Sequence, residues 1–293
     1  MLRDGFKTVM PLSTAPVISD DDPESRLRTH VSFLSDPVHS GRRTGETGCT
    51  DAAFYILSSF RHSGLETRVQ PFVAGSGAIG HNIVGMRPAP GSRQYVIVLS
   101  YYDGLGELGG RLYPGADANC SGTAALLELA GEPAEFSGKP VNVVYAAVDA
   151  HNSGRGGTAE LWRSLQVQGI RRSQILMVVN LDTMGSTLAP THRLRKEYLI
   201  ALGGLKYQRA IASCNSGLDL YLTYDYYGSK GFTDMFYRRV GEQGTFVEAG
   251  IPSVMFTSGI TDNTNRTTDT DSTLNYPVLV KRVELIRRWI GTF

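Results

Sequence analysis

Along this chain, short apolar runs alternate with stretches whose apolar residues recur every three or four positions. Residues 95–99, 141–148 and 175–181 are nearly continuous apolar runs, the pattern of strands buried on both faces. Residues 67–72 alternate, 82–86 form a short apolar run, and 198–202, 218–222 and 253–257 complete the predicted strands. Between them lie helical patterns at 120–130, 158–165, 207–215 and 230–239. A first helix is predicted from Pro23, with Leu27, Val31 and Leu34 on one face. A second carries Ala52, Phe54, Ile56, Leu57 and Phe60 and ends near Gly64. The last runs over 277–290, capped by Asn275 or Tyr276, with Val278, Leu279, Val283, Ile286 and Ile290 as its stripe. Strands alternating with helices predict a three-layer α/β/α sandwich around a mostly parallel mixed sheet. No linker-like stretch divides the chain. It reads as an N-terminal arm (1–22) followed by one domain (23–293).

Composition adds little direction. The formal net charge is +1 over 293 residues, so the balance gives no argument for nucleic acid or an anionic membrane as partner. Cys49, Cys120 and Cys214 show no paired spacing, which disfavours a zinc ribbon or a disulfide framework and predicts buried thiols. No apolar run reaches the roughly 20 residues of a membrane span, and the first residues show no signal-peptide pattern.

In a parallel sheet the chemistry belongs beyond the carboxyl ends of the strands. Those ends read Ser100-Tyr101-Tyr102-Asp103, Asp149-Ala150-His151-Asn152, Asn180-Leu181-Asp182 and Thr257-Ser258-Gly259. Three of the four carry an aspartate. Neighbouring buried carboxylates are costly unless paired, hydrated or metal-bound. By residue type alone they either cap loops and helices or build a metal or catalytic site.

At these ends the sequence resembles the co-catalytic zinc aminopeptidases, a family that includes relatives of glutamate carboxypeptidase and glutaminyl cyclase. Ser40-Gly41-Arg42-Arg43-Thr44-Gly45 resembles the family's opening G-R-x-x-G, and Asn82-Ile83-Val84-Gly85 its next strand. Ser100-Tyr101-Tyr102-Asp103-Gly104-Leu105-Gly106 stands where the family has A-H-Y-D-x-L-G. Pro114-Gly115-Ala116-Asp117-Ala118-Asn119-Cys120-Ser121-Gly122 is similar to P-G-A-D-D-N-x-S-G. Asp149-Ala150-His151-Asn152-Ser153-Gly154 corresponds to D-x-E-E-x-G, and Asn180-Leu181-Asp182-Thr183-Met184-Gly185 to N-L-D-M-x-G. Gly250-Ile251-Pro252 leads to Asn265-Arg266-Thr267-Thr268-Asp269-Thr270, in place of H-T-P-x-D-T.

The resemblance implies two zinc ions sharing a bridging aspartate, with a glutamate beside them as general base on a metal-bound water. The bridging position is Asp117 and a further carboxylate position is Asp182, both retained. The other ligand positions are altered: Tyr101 and Asn265 replace histidines, and Asn152 replaces a glutamate. His151 stands at the general-base position. Neutral tyrosine and amide side chains are poor zinc ligands. Asp103 matches a carboxylate that orients a metal histidine, and is expected to accept hydrogen bonds from other groups. Asp149 is expected to position the loop after its strand.

His151 has two readings. It acts as a base or joins Asp117 and Asp182 on one metal, or it fills the pocket and pairs with an aspartate. Arg155 either meets an anionic ligand or tethers a loop. Tyr221, Tyr224, Tyr226 and Tyr227 either line a cleft or build a half-buried strand and turn. His30, His39, His62, His81 and His192 lie outside the motifs.

The expectation is therefore a catalytically inactive peptidase-like protein with a binding or scaffold role and no cofactor, its remnant cleft open to a peptide or protein ligand. The alternative is a metal-dependent hydrolase with an altered, mononuclear site, holding one zinc or a hard cation such as calcium. Family likeness implies an exported protein.

Overall fold

A computed structural model describes residues 22–189 and 195–293. The expected arm therefore lies outside the described residues apart from Asp22, and so does His192. The Asp22 carboxylate accepts from the Glu24 and Ser25 amides and caps α1 (Pro23–Ser35). α2 (Thr47–His62) is followed by the strands β1 (Glu66–Val73), β2 (Ile79–Arg87) and β3 (Tyr95–Tyr101). A small hairpin, β4 (Gly106–Leu108) and β5 (Arg111–Tyr113), precedes α3 (Gly122–Gly131). Then come β6 (Asn142–Val148), α4 (Gly156–Val167), β7 (Ile175–Asp182) and β8 (Tyr198–Leu202). The chain closes with α5 (Gln208–Cys214), β9 (Tyr221–Thr223), α6 (Lys230–Met235), α7 (Gly244–Glu248), β10 (Ser253–Thr257) and α8 (Tyr276–Ile290).

One sheet runs in the order β1-β2-β6-β3-β7-β10-β8-β9. Its centre, β6-β3-β7-β10, is parallel throughout, while β1, β2 and β8 join antiparallel. Strand alternation makes the three layers. Val143, Tyr145 and Ala147 of β6 pack toward α1, α2, α3 and α8, while Val144, Ala146 and Val148 pack toward α4 and α7. Both faces are covered, which is why β3, β6 and β7 read as unbroken apolar runs.

The three cysteines are free and buried, as expected. Among the described residues no helix is long and apolar enough to cross a membrane.

Three elements differ from the sequence reading. The strand expected at 218–222 begins at Tyr221, because the Asn215 amide bonds both the carbonyl and the N–H of Leu220 and folds 215–220 into a turn. The helix expected from Cys120 begins at Gly122, after a wide turn over Ala116–Ser121. The helix expected at 230–239 stops at Met235 and continues as a wide turn over Phe236–Val240.

Candidate metal centre

The four parallel strands end side by side, and their following loops converge. Ala150 after β6 (φ 65°) and Thr183 after β7 (φ 51°) are left-handed, a costly conformation for residues with a Cβ. They turn the chain sharply at the sheet's carboxyl edge. Asn119 fastens this edge. Its Nδ2 donates to Ser100 Oγ, the Tyr101 carbonyl and the Leu181 carbonyl at 2.9–3.2 Å, and its Oδ1 accepts from the amides of Gly122 and Thr183. Gly122 must be glycine here: a Cβ would lie 2.4 Å from Asn119 Oδ1 and 2.6 Å from the Leu181 carbonyl oxygen.

Asp117 is buried at the start of this turn. Its Oδ1 accepts from Ser121 Oγ at 2.9 Å, from the Gly185 amide at 2.7 Å and from the Ser186 amide at 3.3 Å. Its Oδ2 is buried without a partner. Burial raises its pKa, opposed by those hydrogen bonds and by Arg282. The Asp117 and Ala118 amides in turn donate to the two carboxylate oxygens of Asp269, at 2.8 and 3.0 Å.

Asp182, at the end of β7, stands beside the hydroxyl of Tyr101, which favours its charged form. Burial is the main cause pushing its pKa up to about 6, relieved by nearby His151 and raised further by Glu242 and Asp117. Burial, with Asp182, Asp103 and Glu242 around it, keeps Tyr101 neutral. The Tyr101 ring lies flat on the imidazole of His151, centroids 3.8 Å apart and planes 11° apart. His151 Nδ1 is 2.6 Å from Glu242 Oε1, and Glu242 Oε2 accepts from Thr158 Oγ1. Burial pulls the imidazole pKa down, but the Glu242 hydrogen bond and charge, joined by Asp182 and Asp103, outweigh it and push it up to about 9. The pairing with an aspartate expected for this histidine is thus corrected: its ring partner is Glu242.

Asp103 is buried and accepts from the His151 amide at 2.8 Å, the Asn152 amide at 3.0 Å and Asn152 Nδ2 at 3.1 Å. Burial and neighbouring Asp149 push its pKa up to about 6. Asp149 accepts from Thr44 Oγ1 and from the amides of His81 and Ala150, and so ties the loop after β6 to the chain around it. Asn265 is exposed in a left-handed turn (φ 59°) and shares no hydrogen bond with these groups.

The structure thus gathers Asp182, Tyr101, His151, Asn152 and Asp103, sets Asp117 and Asp149 close enough to act on them through charge, and leaves Asn265 at the surface. Sequence reasoning assigned no role to Glu242, Asp269 or Arg282. Asp269 sat inside a motif already quoted; Glu242 and Arg282 carry no local signature. Arg155 proves a tether, donating to the Gly241 carbonyl at 3.4 Å and so holding the loop that carries Glu242. The tyrosines split. Tyr226 is buried, stacked on Phe236 at 4.6 Å, and Tyr227 both donates to and accepts from the Ile260 backbone, while Tyr221 is exposed.

These residues do not fit a zinc pair. A neutral Tyr101 and the amide of Asn152 are poor zinc ligands, Asn152 Nδ2 donates to Asp103, and His151 Nδ1 is held by Glu242. One oxygen of Asp117 is saturated by three donors. Among the described residues, no three His, Cys, Asp or Glu side chains are gathered as a metal-ligand group.

Carboxylates at the carboxyl edge of a mostly parallel sheet stand where α/β proteins carry their chemistry. The chain belongs to peptidase family M28, whose profile matches residues 82–289. No curated protein matches the sequence. Its fold is similar to the LapA aminopeptidase of Legionella pneumophila, at 14% identity, TM-score 0.72, and 91% of this chain on 70% of that one. It is similar to BSAP, a zinc aminopeptidase from Bacillus subtilis, at 14% identity, TM-score 0.71, and 91% on 94%. A glutaminyl cyclase of Porphyromonas gingivalis aligns at 15% identity, TM-score 0.69, and 91% on 97%. At these identities the likeness establishes the fold alone.

Proposed function

We propose that this chain is a catalytically inactive member of peptidase family M28, a single domain over 23–293 that binds a peptide or protein ligand or acts as a scaffold. One observation carries the reading. The groups at the metal and base positions are turned to neighbouring side chains: Tyr101 stacks on His151, Asn152 Nδ2 donates to Asp103, and His151 Nδ1 pairs with Glu242. A water-activating metal needs lone pairs, and an imidazole base needs to be deprotonated at neutral pH; His151 is held as the cation. Family likeness supports export, and the described residues contain no membrane-spanning helix.

A second reading is favoured by one atom. Asp117 Oδ2 is buried without a partner, and with Asp182 it offers oxygens to one cation. Elemental analysis by mass spectrometry, after equilibration with zinc and removal of excess, separates the two. Metal-free protein without aminopeptidase activity is the expected result. One metal per chain supports the mononuclear site, and two zinc ions per chain overturn the proposal.

A further inference from the structure

α8 carries one polar residue deep in its apolar face. Leu279, Val283 and Ile286 face the core, and among them Arg282 is fully buried. A guanidinium there is costly unless carbonyls and a counter-charge receive it. Three carbonyls do: Nε donates to Tyr198 O at 2.8 Å, and Nη1 to Met184 O at 2.6 Å and Ser186 O at 2.9 Å. Nη2 is buried without a partner.

The Met184 carbonyl and the Gly185 amide belong to one peptide group. The carbonyl end accepts from Arg282, and the amide end donates to Asp117 Oδ1 at 2.7 Å. Cation, peptide and anion thus lie in series, each hydrogen bond polarising the next. The second orphan atom of this region, Asp117 Oδ2, is on the same carboxylate. Arg282 and Asp117 make no direct ion pair; they act through the peptide and through space, each altering the other's ionisation.

We propose that Arg282 is a positioning residue for Asp117: a built-in cation, delivered through the Met184–Gly185 peptide, that supplies the buried carboxylate with the positive charge a metal ion would bring. The inference rests on the reading that Asp117 binds no zinc. It goes beyond that reading by naming what stands in the metal's place.

A double-mutant cycle tests it against a plain structural clamp. Arg282→Met, Asp117→Asn and the double variant are unfolded in urea at neutral pH. Either single change leaves an uncompensated buried charge, so each destabilises. The double variant removes both charges and should lose less than the sum, with a coupling of about tenfold in the unfolding constant. A clamp that only ties Met184 and Ser186 to α8 gives additive losses, and additivity overturns the proposal. If Arg282→Met does not fold, the double variant decides: recovery of the folded protein supports the coupling, and failure to recover overturns it. Elemental analysis of the wild type runs alongside. Zinc bound there sinks both this inference and the metal-free reading, whereas additivity in zinc-free protein sinks this inference alone.

Discussion

His151 and Glu242 form a part-buried pair, Nδ1 to Oε1 at 2.6 Å, although 91 positions separate them in sequence. The glutamate is almost fully enclosed and also accepts from Thr158, so the imidazole proton has a fixed acceptor. With its pKa near 9 against an ordinary 6.5, His151 holds its proton more tightly in the folded state than in the unfolded chain. The stability it contributes is complete below about pH 6.5 and is lost as pH rises through about 9. Glu242→Gln should remove that contribution, a charge-assisted bond of about 1.5–3 kcal/mol. Thermal melts at pH 6.5 and 9.5 check it. The wild type should lose more stability over this window than the variant, and parallel losses would count against the pair.

Asp182 behaves in the opposite region of pH. Burial is the leading cause that lifts it from 3.8 to about 6, so the folded state takes up its proton before the unfolded chain does. Its contribution is present at acid pH and lost as pH rises through about 6. Ionising it at neutral pH therefore costs up to about 3 kcal/mol, at roughly 1.4 kcal/mol per pH unit. Asp182→Asn keeps the shape of the side chain and never ionises. The difference in melting temperature between wild type and variant should move in the wild type's favour on going from pH 7.5 to 4.5. No movement would show that Asp182 ionises at its ordinary pH.

The sheet was legible because each central strand is a covered, unbroken apolar run, and the site positions Asp117, Asp182, Asp103 and Asp149 because they fall at strand ends or in ordered motifs. What stayed hidden depends on distance in sequence. Glu242 reaches His151 from a loop tethered by Arg155, and Arg282 reaches the 184–186 segment from the last helix; neither has a local pattern. Asn265 fell in a polar loop whose side chains obey no periodicity, so its matched position could not say that it lies exposed. The late start of β9 was set by the Asn215 side chain, which competes with strand pairing in a way hydropathy does not record.

Arg42 should be among the most sensitive positions outside the site. It is buried, and its guanidinium donates to the carbonyls of Tyr102, Leu34, Pro114 and Gly115, joining α1, the end of β3 and the turn that carries Asp117. Replacement by methionine keeps much of the volume but leaves four carbonyls with fewer donors. Each unsatisfied buried group costs about 1–3 kcal/mol, so a total loss of about 3–5 kcal/mol is expected. Urea denaturation measures it, and a loss under about 1 kcal/mol would mean that water replaces the guanidinium.

The strongest probe of the lost metal chemistry is Tyr101→His. The tyrosine hydroxyl now lies beside Asp182, and the ring covers His151. Histidine removes that hydroxyl and sets an imidazole at the end of β3, near Asp182, which lies close enough to Asp117 for that carboxylate to raise the cost of its charge. Two carboxylates and an imidazole are a sufficient protein set for one zinc ion. If loss of ligands is what keeps metal out, zinc should raise the melting temperature of the variant and leave the wild type unmoved. The gain grows with concentration, to about 2.7 kcal/mol at one hundred times the dissociation constant. A variant that still ignores zinc would place the barrier elsewhere, in the three donors that hold Asp117 Oδ1 and in the cation behind them. Repeating the titration in Tyr101→His combined with Ser121→Ala would then free one of those donors and show whether that cradle excludes the metal.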